Sequence, residues 1–205
     1  IRVGEYEVFI SIPATVTPAI ALDAAASVVT GTFRIGQAIA KRLAPFGCPV
    51  YYDAPHPRPP EVEEACHASR LNREELLSRC DIVCLACSVN DQTRGMVDRA
   101  FLARMKPTAY LINVGRGDLV DNLALREALI HGVIAGMGLD TIAPEPTPAD
   151  HPLVDLPAEV RDRAVYSPHL GGITAGSFRR AHQNMWNSVR LLLEGKRPNC
   201  IVNGL

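Results

Sequence analysis

Apolar and polar positions fall into alternating patterns from about residue 25 onward. The run AASVVTG (25–31) is short and nearly continuous in small or apolar residues, which predicts a strand covered on both faces. In RIGQAIAKRLAPFG (34–47), Ile35, Ile39, Leu43 and Phe46 recur at helical spacing, and Gly47 supplies a stop. PVYYD (49–53) predicts a second strand; a proline-rich loop, PHPRPP (55–60), and a short helix, REELLSRC (73–80), follow. DIVCLACS (81–88), AYLINVG (109–115) and VIAGMGLD (133–140) predict three more strands. Helices are expected between them at VDRAFLARMK (97–106), with Pro107 after it, and at DNLALREALIHG (121–132), with Asp121 as N-cap. The stretch 141–163 holds five prolines and reads as a long loop. AVYSPH (164–169) is a last strand, and a helix over roughly 174–194 carries Phe178, Met185, Val189 and Leu192 on one side. Residues 1–24 do not join the alternation; YEVFISIP (6–13) has strand character and TPAIALDAAA (17–26) helix character, and the segment is left unassigned.

Strands alternating with helices imply right-handed crossovers and a parallel sheet, hence an α/β, doubly wound domain. Composition agrees with a globular core: 47% hydrophobic and 21% charged residues, with a net charge of -1. The near-neutral charge, with no basic stripe, argues against nucleic acid or an anionic membrane as partner. No apolar run reaches the length of a membrane span and no secretory signal is visible, so a cytoplasmic location is expected. Six cysteines occur, three of them in CDIVCLAC. Strand residues three apart point to opposite faces, so Cys84 and Cys87 are read as reduced core thiols and no metal site is expected.

Polar residues collect where the predicted strands end. The strands run into Asp53, into Ser88 and Asn90, into Gly115 and Arg116, to Asp140, and into Pro168 and His169. Ligands of doubly wound sheets bind outside this edge. GTFRIG (31–36) sits where a phosphate-binding turn belongs: Gly31 allows the tight turn and Gly36 close helix–strand packing, while Phe33 replaces the middle glycine. Asp53 is placed to accept hydrogen bonds from a ribose diol, and its charge would repel a 2′-phosphate, favouring NAD over NADP.

These motifs resemble the D-isomer-specific 2-hydroxyacid dehydrogenases from about Val28 to Asn203. The matching pieces include GTFRIGQAIAKRL, YYDAP, MKPTAYLINVGRGDLVD, the PEP of TIAPEPTPADHPL, SPHLGG and GKRPNCIVN. The resemblance implies a Rossmann-type dinucleotide-binding domain over 25–173, with 174–205 returning toward a substrate domain. It implies a catalytic set of Arg116 for the substrate carboxylate, His169 as acid–base and Glu145 as its paired carboxylate. It implies a cofactor cleft formed by Gly31, Arg34, Ile35, Gly36, Asp53, Ser88, Thr93, Asn113, Val114, Gly115, Asp140 and Gly171. The implied partners are NAD, a small 2-keto or 2-hydroxy acid, glyoxylate or hydroxypyruvate by the proline-rich loop, and a second copy in a homodimer. Family members carry half of the substrate domain before the glycine loop; only 30 residues precede Gly31 here, so that half is expected to be largely missing. An NAD-binding protein without turnover, and an inactive truncated member, remain alternatives.

Overall fold

The computed structural model describes residues 2–3, 6–7, 27–31, 35–198 and 201, with side chains from Ile35 onward. The chain divides into two compact units, Ile1–Ser167 and Pro168–Leu205. In the first, β1 (Arg2–Val3) and β2 (Tyr6–Glu7) form a small antiparallel pair. The strand expected from Tyr6 thus covers two described residues, and the helix expected at 17–26 lies outside the described residues.

The main sheet has seven strands: β3 (Ser27–Gly31), β4 (Val50–Asp53), β5 (Ala68–Arg70), β6 (Ile82–Ala86), β7 (Tyr110–Asn113), β8 (Gly136–Leu139) and β9 (Ala164–Tyr166). Their order is β5-β4-β3-β6-β7-β8-β9, and every pair is parallel. The order reverses at β3. Right-handed crossovers running outward in both directions from β3 send their helices to opposite faces, which is the doubly wound arrangement expected.

The helices of this unit are α1 (Ile35–Leu43), α2 (Pro60–Cys66), α3 (Arg73–Arg79), α4 (Arg99–Ala103), α5 (Asn122–Ile130) and α6 (Ala158–Arg161). Pro45 tightens the end of α1 into a 3-10 turn, and Gly47 closes it in the left-handed conformation at φ 73°. Asn72, Asp98 and Asp121 each accept a backbone N–H at the start of α3, α4 and α5.

Several boundaries differ from the pattern. The segment between the proline-rich loop and α3 was given no element, yet it contains α2, started by Pro60, and the edge strand β5. The helix expected over 97–106 is confined to α4, because Val97 instead bridges in parallel to Val120. The strand expected from Val133 starts at Gly136, and the loop 141–163 contains α6. Leu76, Leu85, Leu111, Leu125 and Leu129 are among the fully buried side chains joining α3, β6, β7 and α5 in one core. Each such burial is worth about 1.5–3 kcal/mol.

The second unit is mainly α7 (Ala175–Leu193), entered through a capping box in which Thr174 and Ser177 exchange side-chain and backbone hydrogen bonds. Phe178, Met185 and Leu192 on the expected apolar side are exposed, as is Trp186. No helix among the described residues is long and apolar enough to cross a membrane.

Candidate functional site

Strand register gathers the polar strand ends. Thr30 is level with Asp53, Gly31 with Ala86, Leu85 with Asn113, and Asn113 with Leu139. The carboxyl ends of β3, β4, β6, β7 and β8 therefore form one edge, from which the loops bearing Asp53, Ser88, Arg116 and Asp140 emerge.

At the first crossover, β3 ends at Gly31 and α1 starts at Ile35, with Gly36 buried and no acidic side chain in the first turn. An unopposed helix N-terminus next to a strand end favours an anion such as a pyrophosphate. Arg34 and Phe33 lie outside the described residues. Asp53 ends β4 with its side chain 18% exposed, and its Oδ2 accepts from Arg73 Nε at 2.9 Å. The loop behind it is braced: Arg70 Nη2 donates to Ala54 O at 2.9 Å and Pro55 O at 3.2 Å. Tyr52 donates its hydroxyl to Glu63, and burial with that contact raises its pKa. Position, exposure and chemistry of Gly36 and Asp53 suit a dinucleotide: backbone donors for phosphate and a carboxylate for a ribose diol.

The loop after β6 is an internally closed turn. Thr93 Oγ1 donates to Ser88 O at 2.7 Å and accepts from Asn90 N at 2.8 Å, while Asn90 Oδ1 accepts from Gln92 and Thr93 N–H groups. It is laced to the loop after β7 by Gly95 N to Asp118 O at 2.8 Å, Val97 N to Leu119 O at 3.0 Å, and an Arg94–Asp118 ion pair.

The loop after β7 carries Arg116. Asn113 is fully buried, and its carboxamide is committed to this turn: Oδ1 accepts from Gly115 N at 3.0 Å and Nδ2 donates to Arg116 O at 2.9 Å. Asn113 was expected to line the cofactor cleft; its side chain shapes the turn that presents Arg116. Val114 continues the ladder through its N–H to Leu85 O at 3.1 Å. Gly115 is buried, with room for no side chain, since a Cβ would lie 2.9 Å from Leu119 Cδ1 and 3.0 Å from Cys87 O. Arg116 is exposed, and its Nη1 donates to Gly115 O at 2.7 Å.

Gly117 joins this turn to the loop that bears Glu145. A Cβ on Gly117 would collide with the backbone of Ile142 and Ala143. Ala143 O is held by Asn122 Nδ2 at 2.8 Å and by His151 Nε2 at 3.2 Å. His151 is buried, and its Nδ1 accepts from Leu153 N at 3.2 Å, which leaves Nε2 as the donor toward Ala143 O. Glu145 is exposed two residues beyond that anchor. Asp140 accepts from Ser167 Oγ, and its N–H donates to Asn113 O at 2.9 Å. The Arg116 turn and the Glu145 loop are thus locked together by Gly117, Asn122 and His151, none of which stood out in the sequence. The signal available was the glycine inside NVGRGD; His151 looked like another polar loop residue.

His169 and Gly171 belong to the second unit. His169 is half-buried, with φ 52° in the left-handed region that few non-glycine residues occupy, and Gly171 is exposed. Such backbone strain is found preferentially at functional positions. Among the cysteines, burial pushes Cys80 up to about 11 and Cys84 up to about 12, so both thiols are inert core residues, as read from the sequence.

Comparison with known proteins gives a consistent result. The family model for the D-isomer specific 2-hydroxyacid dehydrogenase, NAD binding domain, matches residues 14–171. A human glyoxylate reductase/hydroxypyruvate reductase is 42% identical over 147 residues, covering 71% of this chain and 43% of that protein. A glyoxylate/hydroxypyruvate reductase B from Pectobacterium carotovorum is 42% identical over 175 residues, covering 84% and 53%. The NAD-complexed D-isomer specific 2-hydroxyacid dehydrogenase from Lactobacillus delbrueckii ssp. bulgaricus superposes with TM-score 0.77 at 31% identity, over 87% of this chain and 56% of that one. The chain spans about half the length of the curated relatives it matches. By its sheet order, its strand-end chemistry and this match, the chain belongs to the D-isomer specific 2-hydroxyacid dehydrogenase family through its NAD-binding domain.

Proposed function

We propose that this chain supplies the dinucleotide-binding part of an oxidoreductase that moves a hydride between NAD(H) and a small 2-keto or 2-hydroxy acid of the glyoxylate or hydroxypyruvate type. The observation that carries the reading is the single strand-end edge on which Asp53 and the braced Arg116 turn lie in register. The identity to glyoxylate/hydroxypyruvate reductases supports the substrate class.

The backbone at Gly31–Gly36 would hold the pyrophosphate and Asp53 the ribose, with Thr93 and Asp140 shaping the cleft. When bound, the nicotinamide supplies or accepts the hydride. Arg116 would pair its planar guanidinium with the substrate carboxylate and draw electron density from the adjoining carbonyl. Its turn is rigid, so little reorganisation is needed as negative charge grows on the carbonyl oxygen. His169 would give a proton to that oxygen during reduction and take it back during oxidation. Glu145 would stabilise the imidazolium form. The working assembly is a cytoplasmic homodimer in this reading.

The test follows NADH binding by fluorescence and NADH oxidation with glyoxylate and hydroxypyruvate. His169→Ala should keep NADH affinity within about threefold and lower kcat by about 100-fold or more. Arg116→Gln should raise KM and lower kcat together. Binding without turnover in the unaltered protein would leave a dinucleotide binder; equal turnover in His169→Ala would remove His169 from the mechanism.

A further inference from the structure

We infer that Arg73 neutralises Asp53 in place, so that this site admits the 2′-phosphorylated dinucleotide nearly as well as the unphosphorylated one. The inference rests on the dinucleotide reading above and concerns which dinucleotide the site takes. Sequence alone gives Asp53 one unit of negative charge at the end of β4 and hence a bias against a 2′-phosphate. The fold adds a partner from 20 positions away: Arg73, at the start of α3, donates Nε to Asp53 Oδ2 at 2.9 Å.

The pairing leaves Oδ1 without a hydrogen-bond partner among the described residues, so one carboxylate oxygen can still accept from a ribose hydroxyl. Arg73 has a side chain 50% exposed, against 18% for Asp53, so its cation lies on the solvent side of the pair. A second guanidinium, Arg70, closes the same turn through Ala54 O and Pro55 O. The neighbouring acids are engaged elsewhere: Glu63 accepts from Tyr52, and Glu74 pairs with Arg104 at 3.5 Å. With Arg73 and Arg70 set against Asp53 and Glu63, the local balance at the mouth of β4 is close to neutral. A 2′-phosphate bears nearly two negative charges. Against an unpaired carboxylate it would be repelled; against this pair it meets a guanidinium fork suited to phosphate.

Fluorescence titration with NADH and with NADPH tests this on the protein and on Arg73→Gln and Asp53→Asn. The unaltered protein should bind the two within about tenfold of each other, the gap widening as salt screens the arginine. Arg73→Gln should leave NADH affinity within about threefold but weaken NADPH by a further tenfold or more, as unscreened like charges a few ångströms apart demand. Asp53→Asn should weaken NADH and leave NADPH unchanged or tighter. Arg73 is half exposed, so its loss should not unfold the domain, and a thermal melt checks this. Discrimination of about 100-fold or more against NADPH in the unaltered protein, or a ratio unmoved by Arg73→Gln, would overturn the inference while leaving the dinucleotide reading intact. Binding of neither dinucleotide would overturn both.

Discussion

Replacing Gly117 by alanine should destabilise the protein far more than an exposed-turn glycine would. A Cβ at 117 would lie 2.9 Å from Ile142 Cα and closer still to the Ile142 carbonyl carbon and Ala143 N. These are backbone atoms, so no side chain can rotate away and the two loops must part. Three contacts resist: Asn122 Nδ2 to Ala143 O at 2.8 Å, Val120 N to Gly117 O at 3.0 Å, and the fully buried Leu119. Overpacking costs about 1–3 kcal/mol, and the upper end applies where both sides are backbone. At roughly 2–4 °C per kcal/mol for a domain of this size, the melting temperature should fall by about 5–10 °C. Urea unfolding and calorimetry of Gly117→Ala measure this, with Gly172→Ala as control because no atom of the described residues lies within 4 Å of its Cβ. Parting the loops also moves the Arg116 turn, so turnover should fall more than NADH affinity. A variant within about 0.5 kcal/mol of the unaltered protein would refute the close approach and the locking of the two loops built on it.

Asn113→Ala should cost about 1–3 kcal/mol in urea unfolding, because it strands the buried Gly115 N–H, while the Arg116 carbonyl keeps the Leu119 N–H at 3.2 Å; a neutral result would show that the turn holds without its carboxamide. His151→Phe removes the acceptor for Leu153 N and one donor to Ala143 O, and should cost about 1–3 kcal/mol, read by the same unfolding curves. Thr141→Val should be neutral or stabilising by up to about 1 kcal/mol, since Oγ1 of Thr141 is buried without a partner among the described residues; a large loss would mean that the hydroxyl is satisfied in solution. Stability should also decline above about pH 9. Cys80 and Cys84 are held protonated to about 11 and about 12 when folded, whereas unfolded thiols ionise near 9.0, so the unfolded state binds fewer protons and gains as pH rises. Their contribution is complete below pH 9; urea midpoints that stay flat from pH 8 to 10.5 would contradict it.

Much of the fold was legible because buried parallel strands leave a plain trace: DIVCLACS and AYLINVG are nearly continuous apolar runs bounded by turns. The missed elements lack that trace. β5 is a three-residue edge strand with the pattern ASR, held by pairing with β4 rather than by apolar content. α2 is short and acidic, and buries only Cys66 among its residues. In the site, Asp53 and Arg116 could be named because one ends a strand and the other follows closely on one. What each of them does depends on Arg73, Asn113 and Gly117, whose roles follow from contacts made in space.

Sequence by itself determined the class of architecture, the positions where polar chemistry leaves the sheet, and the family, because hydrophobic period and local motif are properties of neighbouring residues. The tertiary structure decided the strand order, the commitment of Asn113 to its own turn, and the seating of Gly117 against Ile142 and Ala143. It also decided that Asp53 meets the site already paired with Arg73. The reason is physical: a charge acts through its partner and a glycine through what packs on it, and Arg73 reaches Asp53, and Ile142 reaches Gly117, only through chain crossovers that no local pattern records.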